Sequence, residues 1–510
     1  MSLLLFVVVA FAAAVACLAT AGRPGIALPI GLGGLGLASA AAALIQPGVA
    51  VHLAGSDVLA STAYARLFIL IASLGGLVTC LVSLATAGPA GWVVRLPAAA
   101  LAGLGGIALA LSASDPLLAL VILLATSVAI APVAFGGPVS LGDVGTVAGN
   151  LRLVALAGAL TITAVAWAGS ATGANTDPGA FGLADLAIVL AVALRFGVVP
   201  FHRPVASLSS TAPGPASPLL LVWCPAVLAV IAIGTTDGSL NALLVPGGVG
   251  QALTVALAAA TLGLGAIAAW LQDELEHVVG YSIVQDAGFV LLGLAVAGAD
   301  AGAAARTWLL ILVAAKTAFA AWAAVTRSRF GTGRLPELSG WIRRSPLMAV
   351  GLVGIALATI GLPGLVAWQV RWTLVDGASD GLLSLVLLVG GLASLAYYGR
   401  ILWIGAARLS PRVAGMVGDR PVTSPRGRTL AETLDLGAVA NRGQIATGLV
   451  LVLVLLSVLV AFGGLGGPDA ARAASVPVVP PASPAAGPSA GPSAGPLAGP
   501  SGGPPSEPSP

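Results

Sequence analysis

The sequence predicts an all-α, polytopic membrane protein with about 14 transmembrane helices. Of its 510 residues, 58% are hydrophobic and only 8% are charged, whereas a soluble globular domain carries about 25% charged residues. The mean hydropathy is +1.03. Apolar runs of about 20 residues, the length that crosses a bilayer, recur along the chain. We therefore expect most of the chain to lie within a membrane.

Fourteen apolar segments are predicted to span the bilayer. They are residues 3–21, 25–45, 63–86, 95–112, 116–135, 150–168, 182–199, 217–234, 247–270, 278–298, 306–326, 346–368, 379–404 and 445–464. The first segment has no basic stretch before it and is followed directly by another span. We interpret it as a retained helix rather than a cleaved signal peptide.

Most arginines fall in or beside loops that follow odd-numbered spans. These arginines are Arg23, Arg95, Arg152, Arg203, Arg327, Arg329, Arg334, Arg343, Arg344, Arg400, Arg408, Arg412, Arg420, Arg426, Arg428 and Arg442. Because basic residues collect in cytoplasmic loops, this pattern predicts that both termini lie on the outer face of the membrane. It places the 405–444 loop in the cytoplasm.

No sequence motif indicates a cofactor or a metal site in this chain. There is no phosphate-binding loop and no dinucleotide fingerprint, and Cys17, Cys80 and Cys224 have no ligand spacing. The net charge of +3 is too small to indicate a nucleic-acid partner. We therefore expect that the chain alone neither hydrolyses ATP nor carries electrons.

Lys316 is the single lysine of the chain, and it lies in the middle of the apolar stretch 306–326. A lysine at the centre of a bilayer costs at least about 2.5–3.5 kcal/mol on insertion scales. Lysine is also the basic side chain that exchanges its proton readily when it is buried. The pattern favours a proton-handling or ion-pairing group. The alternative is a lysine that snorkels to an interface or forms a structural hydrogen bond.

Two spans, the seventh and the twelfth, are interrupted by helix-breaking residues. The breaks fall at Pro200 and His202 in the first case, and at Pro363 and Gly364 in the second. Interrupted spans at matching positions indicate an inverted-repeat transporter, with spans 4–8 and 9–13 as the two five-helix repeats. The alternative is a pair of simple proline kinks.

Three further charged residues lie inside or at the edge of apolar spans. Asp286 lies about eight residues into the tenth span, and Lys316 on the next helix is its candidate partner. Arg195 and Arg371 lie beside the two interruptions. Asp273, Glu274, Glu276 and His277 are interpreted as a solvated cytoplasmic turn.

Several stretches resemble one known family. VVPFH and APGPAS, LQDELEHVVGYSIVQDAGFVLLGLAV, IALATIGLPGLVAWQVRW and AYYGRIL are similar to the motifs of antiporter-like subunits. Those subunits belong to NADH:quinone oxidoreductase, complex I, and the chain looks most like the N-type subunit. Cation/proton antiporters and membrane hydrogenases share the core. The resemblance covers roughly residues 95–410.

The resemblance implies a proton path built from a buried acid and buried lysines, but only part of that set is present. Lys316 matches a family lysine, whereas Ser127, Arg195, Pro225, Asp286 and Arg371 stand where the family has an acid, a lysine, a lysine, a histidine and a lysine. Arginine does not release its proton in proteins. The amino-terminal half-channel is therefore expected to be impaired, and Asp286 with Lys316 remains the titratable candidate.

The resemblance leads to one main hypothesis and two alternatives. The chain would be a proton-translocating, or proton-path, subunit of an NADH:quinone oxidoreductase-like complex in a bacterial plasma membrane. NADH and quinone would bind to partner membrane or redox subunits. The alternatives are a cation/proton antiporter subunit and a non-conducting structural subunit.

The predicted organisation has six parts. They are helices 1–3 in 1–94, a first antiporter-like repeat in 95–234, a second in 235–404, a cytoplasmic loop in 405–444, a last helix in 445–465, and a disordered Pro/Ala/Gly tail in 466–510.

Overall fold

A computed structural model describes most of the chain. The described residues are 2–53, 56–86, 90–135, 141–170, 178–211, 216–236, 248–296, 298–378, 382–410, 413 and 430–475. They form an all-α fold with one β-hairpin, in which β1 (Ala50–Leu53) pairs antiparallel with β2 (Ser56–Ala60). His52 and Asp57 form an ion pair across this hairpin.

Eighteen α-helices follow one another among the described residues. They are α1 (Ser2–Ala19), α2 (Pro24–Ala43), α3 (Ala63–Ala85), α4 (Ala90–Ser112), α5 (Pro116–Phe135), α6 (Leu141–Ser170), α7 (Pro178–Phe196), α8 (Arg203–Thr211), α9 (Cys224–Thr235), α10 (Val249–Leu271), α11 (Leu275–Ala295), α12 (Ala299–Phe330), α13 (Pro346–Ile360), α14 (Val366–Ala378), α15 (Leu382–Leu392), α16 (Ser394–Ala406), α17 (Leu430–Ala461) and α18 (Gly467–Ser475). A π-helical turn, Leu219–Trp223, leads into α9.

The helices confirm the all-α polytopic fold class. Within the described part of the chain, nine helices are long and apolar enough to cross a bilayer. Four shorter apolar helices add to them. Each of the predicted spans overlaps a helix, although the twelfth and thirteenth are each divided between two helices. The total of fourteen spans stays a prediction.

Two predicted boundaries near the carboxy terminus are wrong. Residues 430–444, expected in a loop, belong to α17, and residues 467–475, expected in a disordered tail, form α18. Helix α18 packs against α3 and α12 and buries Ala471. Its Asp469 in the first turn and Arg472 in the last turn complement the helix dipole. The predicted tail beyond residue 475 lies outside the described residues.

Helices α11 and α12 form the centre of the fold. In the 18-residue apolar stretch of each helix, 89% of α11 and 94% of α12 is buried inside the protein. Helix α12 contacts α3, α9, α11, α13, α14, α17 and α18. Lys316 and Asp286 lie on these two helices, so both are held as far from lipid and water as the fold allows.

Close packing of α11 against α10 depends on a glycine. A Cβ atom at Gly265 would lie 2.9 Å from the Cα and 3.0 Å from the amide nitrogen of Gln285. The neighbour here is backbone, so it cannot rotate away. Glycines allow membrane helices to approach this closely. Gly265 therefore sets how closely α10 approaches α11 beside Asp286.

Gly265→Ala should lower the stability of the fold by about 1–3 kcal/mol, because overpacking forces the two helices apart. Gly263→Ala is the matched control, since a Cβ atom there meets nothing within 4 Å. Thermal unfolding of both purified variants in detergent measures the difference. Equal melting temperatures for the two variants would contradict the packing role.

Candidate functional site

The core of the candidate site is an ion pair between neighbouring helices. Lys316 Nζ on α12 lies 2.6 Å from Asp286 Oδ2 on α11. Both side chains are at most 1% exposed. Lys316 Nζ also donates to Ser282 Oγ, at 3.2 Å, one helical turn before Asp286. The pairing of Asp286 with Lys316, a candidate from the sequence, is therefore present in the structure.

Arg371 completes a triad around the same carboxylate. Its Nη2 atom lies 3.6 Å from Asp286 Oδ1. Its guanidinium also donates to the carbonyl of Ile360 at 2.8 Å and to that of Gly391 at 3.2 Å. Ile360 ends α13, and Gly391 lies one residue before the end of α15. The carboxy terminus of α13, with about half a negative charge, and the carbonyl at the kink between α15 and α16 thus face Arg371.

Aromatic side chains pack around the triad. The Arg371 guanidinium lies 4.3 Å from the Phe289 ring centroid and 5.0 Å from that of Trp308. Trp308 Nε1 donates to the backbone carbonyl of Asp286 at 3.1 Å. Cation–π contacts in a buried site hold a guanidinium firmly. Arg371 is therefore positioned by carbonyls, rings and a carboxylate together.

Two buried tyrosines lie next to the triad. Tyr397 is near Arg371 and Asp286, and Tyr398 is near Lys316 and Asp286. Thr359 Oγ1 lies 3.4 Å from the Tyr398 hydroxyl. The Tyr397 hydroxyl has no hydrogen-bond partner among the described residues. The polar groups of the site thus extend from Ser282 past Lys316 to the end of α13.

The structure places helix interruptions at both predicted positions. Between α13 and α14, Gly361 and Gly364 have positive φ angles of 72° and 92°, which only glycine adopts without strain. Pro363 lies between them and is exposed. This break leaves the Ile360 carbonyl outside any continuing helix, and Arg371 on α14 donates to it at 2.8 Å.

The other interruption separates α7 from α8. Gly197 has a φ angle of 65°, and the Val199–Pro200 peptide is cis. His202 lies half-buried in this connection, and its ring centroid is 5.9 Å from that of Tyr281. His202 Nδ1 has no hydrogen-bond partner among the described residues. Neither Pro200 nor His202 is part of the triad.

Arg195 occupies a separate buried position at the end of α7. It forms no ion pair within the described part of the chain. Its neighbour Cys224 contacts Ser127, so Arg195 has a thiol nearby instead of a carboxylate. Pro225 at the start of α9 has no amide proton for the carbonyl four residues before it, and the π-helical turn 219–223 precedes it. Ser127 and Pro225 stand where the family resemblance implies an acid and a lysine. This region therefore has no lysine that could release a proton.

Sequence reasoning missed two buried carboxylates. Asp185 on α7 is 5% exposed, and its Oδ1 has no hydrogen-bond partner among the described residues. Glu276, expected in a solvated turn, is 8% exposed and pairs with Arg327 at 2.8 Å. Asp185 is an acid inside a predicted span, which is a signal that could have been read. Glu276 could not be distinguished from its exposed neighbours.

The triad can exchange one proton while it keeps its charges paired. When Lys316 is an ammonium, it pairs with Asp286 at close range. When Lys316 is a neutral amine, Asp286 still has the permanent guanidinium of Arg371 beside it. Arg371 in turn faces the carboxy terminus of α13, with about half a negative charge, and the Gly391 carbonyl. Neither state leaves an isolated ion in the interior.

The fold and this buried triad define a class of polytopic membrane subunits with interrupted helices and charges at mid-bundle. A family model for the transmembrane part of NADH:quinone oxidoreductase and Mrp antiporters matches residues 139–395. The chain belongs to this NADH:quinone oxidoreductase/Mrp antiporter transmembrane family. The whole triad lies within the matched residues.

Named relatives and solved structures agree with this assignment. The chain is 29% identical over 318 residues to NADH-quinone oxidoreductase subunit N 1 of Streptomyces griseus, covering 61% of this chain and 64% of that protein. It is 28% identical over 241 residues to NADH-quinone oxidoreductase subunit N of Halorhodospira halophila, covering 45% of this chain and 48% of that protein. The chain thus spans about half to two thirds of the length of these curated relatives.

The fold is similar to that of two solved assemblies. A chain of respiratory complex I from Thermus thermophilus superposes with a TM-score of 0.67 at 22% identity, over 92% of this chain and 99% of that one. A chain of the Mrp complex from Dietzia sp. has a TM-score of 0.64 at 22% identity, over 93% and 99%. At these identities the likeness shows the fold alone.

A double-mutant cycle tests whether the buried pair is energetically coupled. Asp286→Asn should lower stability by about 3–5 kcal/mol, because it leaves Lys316 and Arg371 buried without their carboxylate. Lys316→Met should cost less, because Asp286 keeps Arg371 beside it. The double variant should lose much less than the sum of the two losses. Denaturant unfolding in mixed micelles measures all three.

The control cycle uses the peripheral pair Arg327–Glu276. The Arg327 side chain is 61% exposed, so its coupling to Glu276 should stay below about 1 kcal/mol. If the stability losses at Lys316 and Asp286 are additive, with a coupling energy no larger than that of the control pair, a tight buried pair is contradicted.

Proposed function

We propose that the chain is a proton-translocating membrane subunit of an NADH:quinone oxidoreductase-like respiratory complex. The single observation that supports this most strongly is the Asp286 carboxylate between a releasable ammonium and a fixed guanidinium. In this proposal Lys316 is the switchable base, Asp286 modulates its charge, and Arg371 is the fixed positive charge. Arg195 is a second fixed charge outside the triad.

The proton reaches and leaves Lys316 through its polar neighbours. Ser282 Oγ accepts a hydrogen bond from Lys316 Nζ and donates one to the Val279 carbonyl at 2.7 Å. On the other side, Tyr398 and Thr359 lead toward the break between α13 and α14. The glycines of that break keep backbone amides and carbonyls open to water. Proton transfer then needs only short movements of the flexible lysine side chain.

The membrane placement and the partners follow the sequence pattern and the family. The chain is a multi-pass membrane protein, and we place it in a bacterial plasma membrane with both termini outside and the 405–444 segment in the cytoplasm. Other membrane subunits of the complex pack beside it. NADH and quinone bind to partner subunits, and this chain contributes the proton path that their redox chemistry drives.

The carboxy-terminal repeat, 235–404, carries the proton path in this proposal. The amino-terminal repeat, 95–234, has a buried arginine beside a thiol and a hydroxyl, and arginine keeps its proton. Its buried acid, Asp185, lies on the same helix as Arg195 but about 15 Å along the axis from it. The two groups therefore cannot form a pair like Lys316 and Asp286.

Electrostatics disfavour the alternative of a metal-cation/proton antiporter. In the described triad one carboxylate already faces two positive groups. A sodium ion would have to displace Lys316 or Arg371 to reach Asp286, and both are held by further hydrogen bonds. Sodium-dependent flux in the absence of NADH and quinone would favour the antiporter alternative.

Lys316→Arg should abolish proton transfer while the protein stays assembled, because arginine can pair with Asp286 but cannot release its proton. Lys316→Met should also abolish transfer. The measurement is NADH-driven proton uptake by inverted membrane vesicles, normalised to NADH oxidation. Undiminished uptake with Lys316→Arg would reduce the pair to a structural role and favour a non-conducting subunit.

A comparison of two buried carboxylates tests which half conducts. Asp286→Asn should lower proton uptake by at least about tenfold, since a shift of 1.4 kcal/mol in one transfer step has this effect. Asp185→Asn should leave uptake per NADH unchanged. Loss of uptake with Asp185→Asn and not with Asp286→Asn would place the path in the amino-terminal repeat.

A further inference from the structure

An apolar groove on the outside of the bundle has basic residues at one end. Its volume is about 590 Å³, and it lies between α2, α3, α4 and α17. Its apolar lining includes Leu28, Leu81, Leu84, Val94, Ile445 and Leu449. Leu84 and Ile445 are 42% and 56% exposed, so this surface is open. The groove is far from the triad in the interior and takes no part in the proposed proton path.

Three arginines lie at or next to the lining of this groove. Arg442 is itself a lining residue, Arg23 precedes the lining residue Pro24, and Arg95 follows the lining residue Val94. All three are exposed. None of them forms an ion pair with a described residue. They come from three separate segments of the chain, and each is a lining residue of the groove or the sequence neighbour of one.

Contacts between the helices show that these charges lie at one end of the bundle. Ser328 near the end of α12 donates to the carbonyl of Thr86 just after α3, at 3.3 Å. Arg329 donates to Thr447 of α17 at 3.4 Å, close to Arg442 along the chain. The same end holds the start of α2, which carries the positive end of its dipole. This is the end that the arginine pattern assigns to the cytoplasm.

The floor of the groove is rigidly held. The Cys17 thiol donates to the carbonyls of Ala27 and Val94, at 3.4 and 3.5 Å, and so ties α1 to α2 and α4. Cys17, Ala27, Val94 and Ala98 form a small separate apolar cluster beneath the groove. These contacts fix α2 and α4, which form two sides of the groove, against α1.

We propose that this groove binds an anionic phospholipid of the bilayer. Its acyl chains lie against the leucine, valine and isoleucine side chains, and its phosphate and headgroup meet Arg23, Arg95 and Arg442. Basic pockets between transmembrane helices on the cytoplasmic side recognise anionic lipid headgroups. A zwitterionic lipid fills the same apolar surface, but its cationic headgroup cancels the charge of its phosphate, so the three guanidinium groups attract it less.

The test is native mass spectrometry of the full-length chain released from nanodiscs that contain equal amounts of phosphatidylglycerol and phosphatidylcholine. Wild-type protein should retain phosphatidylglycerol in preference to phosphatidylcholine. The preference should fall by about fivefold for each of Arg23→Gln, Arg95→Gln and Arg442→Gln. Arg343→Gln is the matched control, because Arg343 is exposed and unpaired among the described residues but lies outside the groove.

A second variant keeps the test decisive if the arginine variants fold poorly. Leu449→Trp fills the apolar part of the groove and should reduce retention of both lipids. Equal retention of the two lipids by the wild type, or an undiminished preference in the triple arginine variant, would overturn the proposal. Cross-linking of residue 84 to a neighbouring protein, with no lipid retained, would overturn it as well.

Discussion

The carboxylate of Asp286 lies between Lys316 and Arg371, and the surrounding helices are arranged around that contact. A buried charge without a partner is among the most expensive features a protein interior can contain. Here one acid faces one base that can lose its proton and one that cannot. The close distance of 2.6 Å to Lys316 and the longer one of 3.6 Å to Arg371 describe a primary and a reserve partner. This asymmetry makes a protonation switch possible inside the bundle.

Arg371 can serve as a reserve partner because helix ends neutralise it. The break between α13 and α14 exposes the carboxy terminus of α13, and the kink between α15 and α16 supplies the Gly391 carbonyl. Without these carbonyls the triad would hold a net positive charge in a low dielectric. The helix interruption and the buried charges are thus parts of one electrostatic arrangement. Phe289 and Trp308 hold the guanidinium in place over their ring faces.

Much of this arrangement could be predicted from the sequence, for identifiable reasons. Transmembrane helices follow from apolar length, and Asp286 and Lys316 attract attention because charges inside apolar spans are rare and costly. The break near Pro363 follows from proline and glycine chemistry. The meeting of Arg371 with this pair could not be predicted. It depends on the backbone geometry of the break, and Arg371 is 55 residues from Lys316 in the sequence.

Other features were hidden for different physical reasons. Tyr397 and Tyr398 look like ordinary aromatic residues until their burial beside the triad is known. Helix α18 was hidden by its composition, because a Gly-, Pro- and Ala-rich segment resembles a disordered tail although contacts with α3 and α12 support it. Glu276 looked solvated because only the fold brings Arg327 to it.

The most direct test of the switch uses the single lysine of the chain. Uniform ¹⁵N-lysine labelling places one side-chain nitrogen signal in the protein, and it belongs to Lys316. The protein is reconstituted in lipid and its ¹⁵Nζ signal is followed as pH is raised, with folding monitored in parallel. We predict a reversible change from ammonium to amine in the folded protein, which Arg371→Gln suppresses by removing the reserve partner. A signal that stays ammonium until the protein unfolds, in both forms, would contradict the switch.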